Sequence, residues 1–143
     1  MSKGPFDPYP HPEWQKEAQQ LKSMLSEPEF ESAKESTLNA YYTPLGIVQA
    51  IWSALANAGF TGGRILDPAS GTGYFIGAMP EEIARRSSVL CVELEGTTAR
   101  IAKALYEPHA KVLNMGFEAA QIPDNYFDLV VTNCPFGRYQ VAC

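Results

Sequence analysis

Basic residues are scarce in this chain. Lys and Arg number 11 against 16 Asp and Glu, a formal net charge of -5 at pH 7, which opposes non-specific docking on a phosphate backbone. Any nucleic-acid role must therefore be local or borrowed from another polypeptide. Cysteine is nearly absent: Cys91, Cys134 and Cys143 form an odd set without CxxC spacing. That excludes a disulfide framework and fits a reduced, cytoplasmic setting. The two histidines, His11 and His109, have no Cys or carboxylate partners at ligand spacing, so no metal is expected. No run approaches the roughly 20 apolar residues that a membrane helix needs. The opening Met-Ser-Lys-Gly is not followed by the apolar stretch of a secretion signal.

What is present is enough for one domain. At 143 residues and 45% hydrophobic content the chain can bury a core, and two full domains are excluded on size. Residues 1–35 read as an arm. Pro5, Pro8, Pro10 and Pro12 forbid regular structure at its start. Trp14, Ala18, Leu21, Met24 and Leu25 then recur at the spacing of an amphipathic helix from Glu13 to Leu25. Glu27 to Thr37, charged and interrupted by Pro28, reads as a connector holding at most a short helix.

Residues 36–143 form the domain proper. Thr43-Pro44 predicts a helix with Thr43 as cap and Pro44 at its first position, burying Ile47, Val48, Ile51, Ala54 and Leu55 and ending at Gly59. Three apolar runs, Arg64 to Asp67, Ser88 to Glu93 and Asp128 to Asn133, read as buried parallel strands, with a weaker one at Ala110 to Leu113. Helical segments fall between them, about Tyr74 to Arg86 and about Thr97 to Tyr106. Strand alternating with helix predicts an α/β fold, a Rossmann-like doubly wound parallel sheet.

Asp67-Pro68-Ala69-Ser70-Gly71-Thr72-Gly73 joins the first strand to a helix. Glycines at 71 and 73 let the backbone pass close to a ligand. Glu93 closes the second strand about 20 residues further on, where an acid accepts both hydroxyls of a ribose. The pair points to an adenosine-containing ligand. A nicotinamide cofactor would use the same architecture, but its fingerprint begins directly after the strand. Here Asp67-Pro68-Ala69-Ser70 intervenes and Gly77 comes one residue late, which disfavours an NAD-dependent oxidoreductase.

Asn133-Cys134-Pro135-Phe136-Gly137 follows the last strand. An asparagine oxygen and a neighbouring carbonyl can together accept from one exocyclic amino group, and a phenylalanine offers a face on which an extruded base can stack. Cys134 lacks a histidine or lysine neighbour to activate a thiolate, and reads as a small, partly buried side chain.

From Ser36 to Val141 the sequence resembles the S-adenosylmethionine-dependent adenine-N6 DNA methyltransferases in their gamma motif order. It is most similar to the methylase portion of large methyltransferase–helicase proteins of phages and mobile elements. Tyr42-Thr43-Pro44 resembles motif X, which holds the methionine end of the cofactor; Asp67, Ala69, Ser70, Gly71 and Gly73 fall in motif I. Glu93, followed by Leu94, matches the ribose acid of motif II. Gly116-Phe117-Glu118 stands at motif III, beside the adenine, with glycine where many members have aspartate; Glu118 or a backbone carbonyl would take over that contact. Asn133, Cys134, Pro135 and Phe136 match the catalytic motif IV, Cys134 replacing its first proline.

The resemblance implies a class I methyltransferase sheet of strand order 3-2-1-4, about four strands where a complete member has seven and a target-recognition region. It implies S-adenosylmethionine as cofactor, only weak DNA binding by this chain alone, and a second copy or a protein partner covering the edge of the fourth strand. A non-catalytic methyltransferase-fold protein that binds a protein partner, such as a counter-defence factor, is the alternative.

Overall fold

The structure, a computed structural model, describes residues 12–39 and 42–134. The chain divides into two compact units, Met1–Ala40 and Tyr41–Cys143, against the expected boundary after residue 35. The proline arm lies almost wholly outside the described residues.

In the first unit a 3-10 turn, Pro12–Trp14, leads into α1, Gln15–Met24. Of the apolar stripe expected there, Ala18 is buried, whereas Trp14 and Met24 are exposed. The segment expected to be a connector is a full helix, α2, Glu27–Asn39. Pro28 does not break it because it occupies the first turn, where its missing N–H has no helical acceptor anyway. Ser26 and Glu29 form a capping box: the Glu29 carboxylate accepts from the Ser26 N–H at 3.0 Å and from its hydroxyl at 2.8 Å. Lys22 of α1 lies 5.4 Å over the Phe30 ring of α2.

The second unit opens with α3, Leu45–Asn57. Pro44, with ψ 136°, is its cap, so the helix starts one residue later than expected and Thr43 lies outside it. The Gly59 and Phe60 amides return to the Ala56 and Leu55 carbonyls and stop the helix. Four parallel strands follow: β1 Arg64–Asp67, β2 Ser88–Glu93, β3 Ala110–Asn114 and β4 Leu129–Val130. Their order in the sheet is β3-β2-β1-β4, as expected. The register sets Ile65 opposite Val89 and Leu129, and Cys91 opposite Val112.

The single helix expected from Tyr74 to Arg86 is two short ones, α4 Tyr74–Gly77 and α5 Glu81–Ala84. Pro80 separates them, since it has no N–H to donate and forces extended backbone around it. α6, Gly96–Tyr106, connects β2 to β3. The core is one contiguous cluster. Ile65, Val89, Cys91, Ala110 and Val112 alternate onto the same face of the sheet and meet Val48 and Trp52 of α3, Phe75 of α4, Ile83 of α5, and Ala99 and Ala102 of α6. The Trp52 indole N–H donates to the Phe75 carbonyl at 2.9 Å, so this large ring is buried without an orphaned donor.

Candidate functional site

Asp67, Ala69, Ser70, Gly71, Gly73, Glu93, Leu94, Gly116, Phe117, Asn133 and Cys134 lie at or just past the carboxyl ends of the strands, the rim where open α/β sheets take ligands, whereas Thr43 and Pro44 precede α3. The glycine loop, residues 68–73, is tied to β2 by the Ser70 amide, which donates to the Val92 carbonyl at 3.0 Å. The Ala69 amide donates to Asp67 Oδ1 at 3.3 Å. Glu93 then clamps the loop from the next strand. Its Oε2 accepts from the Gly71 N–H at 2.8 Å and its Oε1 from the Glu95 N–H at 2.8 Å. Each carboxylate oxygen keeps a second lone pair for an incoming hydroxyl.

The two loop glycines serve different purposes. Gly71, at φ +55°, has open space where a side chain would stand. Gly73, at φ +88°, has the Tyr106 ring there. Close approach of a ligand therefore belongs to Gly71. At Gly73 the absent side chain lets α6 pack its terminal tyrosine under the loop.

Two polar atoms beneath the loop are buried without a hydrogen-bond partner, Asp67 Oδ2 and Ser70 Oγ. Both residues are more than nine-tenths buried, Asp67 at 2% exposed and Ser70 at 7%. Such orphans are rare in folded proteins and call for a partner. Burial pushes the Asp67 carboxyl up to about 6, against the opposing pull of the Thr132 hydroxyl and the Ala69 amide. Cys91 lies beneath the same loop, and burial, reinforced by the Asp67 charge, pushes its thiol up to about 12. It is an inert core side chain.

Tyr42 stands at the same rim, its ring centroid 5.6 Å from that of Tyr74. Partial burial raises its phenol pKa first, followed by Tyr74 and the charges of Glu93 and Glu95. Leu94 and Phe117, which follow β2 and β3, are both strongly exposed. The Asn114 side chain braces this corner by donating to the Glu93 and Leu94 carbonyls, each at 3.0 Å. Gly116 caps the 3-10 turn Phe117–Ala119, and the Glu118 carboxylate folds back over it.

Past β4 the Val131 amide still donates to the Leu66 carbonyl at 3.0 Å, carrying the chain along β1 to Thr132 and Asn133. Asn133 is half-buried. Cys134, expected to be partly buried, is exposed, its sulfur 4.0 Å from the Thr132 hydroxyl. It has left the sheet's hydrogen bonding by that point. Pro135 and Phe136 lie outside the described residues.

Sequence reasoning passed over three residues of this rim. Glu95 caps α6, accepting from the Thr97 amide at 2.9 Å and from the Thr98 amide and hydroxyl, both at 2.6 Å; an acid directly before a helix was the available signal. Tyr74 is the residue after the glycine loop. Tyr106 had no signal, because only the fold brings it to Gly73. Among the described residues no group of His, Cys, Asp and Glu could hold a metal ion, and no helix is long and apolar enough to cross a membrane.

Residues 66–137 match the family model described as a methyltransferase domain. The chain is 32% identical over 103 residues to Defense against restriction protein B of Escherichia phage P1, an alignment covering 71% of this chain and 4% of that protein. Among solved structures it resembles a Vibrio vulnificus YJ016 chain described as a modification subunit of a type I restriction enzyme. The TM-score is 0.58 at 20% identity, over 90% of this chain and 30% of the other. A Listeria monocytogenes protein described as a class I S-adenosylmethionine-dependent methyltransferase gives a TM-score of 0.59 at 20% identity, over 71% and 34%. The chain thus spans a small part of the phage protein and about a third of these two structures.

Proposed function

The chain belongs to the methyltransferase-domain family, and from that membership we propose that it binds S-adenosylmethionine and serves as the cofactor-binding half of a DNA adenine-N6 methyltransferase. The observation that carries the cofactor reading is the Glu93 clamp. A carboxylate fixed by the Gly71 and Glu95 amides faces the open side of Gly71, with acceptor capacity left for a ribose diol. Asp67 Oδ2 and Ser70 Oγ, buried and unpartnered beside it, fit a ligand bearing further polar groups. Leu94 and Phe117 expose apolar surface suited to a purine ring.

When bound, the cofactor supplies an electrophilic methyl group on a sulfonium. The chain's own contribution is to orient the acceptor. The Asn133 side-chain oxygen and the Cys134 or Pro135 carbonyl accept from the amino group of adenine, which keeps the nitrogen lone pair free of the ring and aimed at the incoming methyl. Phe136 stacks on the extruded base. The DNA reading is supported by the likeness to a phage protein named for defence against restriction and to a restriction-enzyme modification subunit.

Calorimetry with S-adenosylmethionine and with NAD tests the ligand: the first binds and the second does not. Transfer of labelled methyl groups to adenine-containing DNA, by the chain joined to whatever polypeptide completes it, tests the substrate. The likeness to the phage defence protein also favours a second reading, a fold that keeps the cofactor and acts by binding a protein. Cofactor binding with no DNA labelling, and Asn133→Ala without phenotype, would select it.

A further inference from the structure

α6 has apolar residues on two of its sides. Ala99 and Ala102 are fully buried in the core. On another side Ile101 is 43% exposed and Leu105 60%, Ala104 is exposed and Thr97 half-buried. Thr97, Ile101 and Ala104 follow one another at spacings of four and three, with Leu105 beside them. That is the seam spacing of helices that pair in coiled-coil fashion. A lone exposed leucine needs no explanation, but apolar side chains that recur along the open side of one helix mark a contact surface.

The charges beside the seam select its occupant. Arg100 and Glu107, both exposed, stand seven positions apart and therefore on the same flank, Arg100 in the first half of α6 and Glu107 at its closing position. Glu107 forms no ion pair among the described residues. In an antiparallel helix pair like flanks face each other, and the charges there set partner and orientation. A second α6 laid antiparallel sets Arg100 against the partner's Glu107 and Glu107 against the partner's Arg100. A parallel pair would bring Arg100 to the flank of the partner's Leu105 and gain no ion pair. The two-fold axis falls midway between the two charges, beside Ala104, whose short side chain lets the helices approach, and Ile101 then packs on the partner's Leu105. We infer that α6 is the seam of an antiparallel homodimer, an isologous contact in which one patch serves both copies. The seam is short beside the area that stable dimers bury, so the association is weak and depends on concentration. It is independent of what the strand rim binds.

The test is sedimentation equilibrium on the full chain, over a range from about 10 μM to about 1 mM. A monomer–dimer equilibrium with its midpoint inside that range is expected. Arg100→Glu and Glu107→Arg, taken singly, each set like charges against one another at both symmetric contacts and weaken the dimer by roughly two- to thirtyfold, the span to which two exposed ion pairs convert. Combined in one chain, the two changes restore opposite charges across the seam and return the affinity to within about twofold of the parent. Ile101→Lys weakens the dimer by about tenfold or more. Far-ultraviolet circular dichroism and thermal melts of each variant check that it is folded. Recovery in the charge-swapped double variant is a readout that damage to the fold would not give. A chain that stays monomeric throughout overturns the inference. So does a dimer indifferent to all of these changes, which would be joined elsewhere, as at the β4 edge, and so does a double variant no better than the single ones.

Discussion

Glu93 is the residue on which the rim depends, since one carboxylate serves the loop, the start of α6 and the proposed ribose contact. Glu93→Ala is expected to cost about 1–3 kcal/mol of S-adenosylmethionine affinity by calorimetry, and Glu93→Gln less, because the amide oxygen still accepts one N–H. Unchanged affinity in Glu93→Ala would remove it from the ribose role. Asp67 acts through its proton. Its folded pKa of about 6 lies above the ordinary carboxylate value, so the folded state binds the proton more tightly. Its contribution is fully favourable below about pH 4 and is lost as pH rises through 6. At pH 7 the buried charge costs about 3 kcal/mol. Asp67→Asn is therefore expected to be more stable than the parent at pH 7 to 8 in urea melts, the two converging below pH 4. Gly73→Ala meets both a positive φ and the Tyr106 ring and should destabilise by about 2–4 kcal/mol. Placed in a Tyr106→Leu background it should cost only the backbone part, about 1–2 kcal/mol.

At the scale of elements, β1 and β4 are joined by a clasp at the end of the sheet opposite the site. Asp128 accepts from the Arg64 amide at 2.8 Å, from its Nε at 3.1 Å and from its Nη2 at 3.0 Å, and the guanidinium lies 4.7 Å over the Tyr126 ring. The Arg64 hydrogen bond holds the Asp128 carboxyl down at about 2. A lowered carboxyl pKa stabilises the fold above about pH 4, and the gain disappears as pH falls toward 2. Asp128→Asn should lower the melting temperature at pH 6 and match the parent near pH 2 in thermal melts. Elements also mark the limits of sequence pattern. Periodicity located α3, α6 and all four strands because each carries its own apolar face. It missed α2, where the charged run and a first-turn proline were read as a connector and the Ser26 and Glu29 pairing was not recognised. It merged α4 with α5, whose apolar residues keep helical spacing across Pro80.

For the whole molecule, the formal net charge of -5 opposes docking on a phosphate backbone. We propose that further polypeptide, a second copy or a different chain, pairs with the β4 edge and supplies most of the DNA contact. A native mass spectrum is expected to show a complex heavier than the 15.7 kDa chain. DNA binding by the chain alone should be no tighter than about 1 μM at physiological salt, the range of non-specific contacts. Nanomolar DNA binding by a monomer would defeat this expectation.

Sequence alone determined the α/β class and placed the Gly71 and Gly73 loop and the strand-ending Glu93 after their strands, because apolar runs and turn glycines are local signals with local physical causes, whereas the strand order was implied by the family resemblance and not by any local pattern. Which glycine opens to a ligand and which makes room for Tyr106, the lone burial of Asp67 Oδ2, and the meeting of Tyr42 with Tyr74 were decided only by the tertiary structure. Each depends on residues about 30 or more positions apart, and no local pattern records which of them the packed sheet will bring into contact.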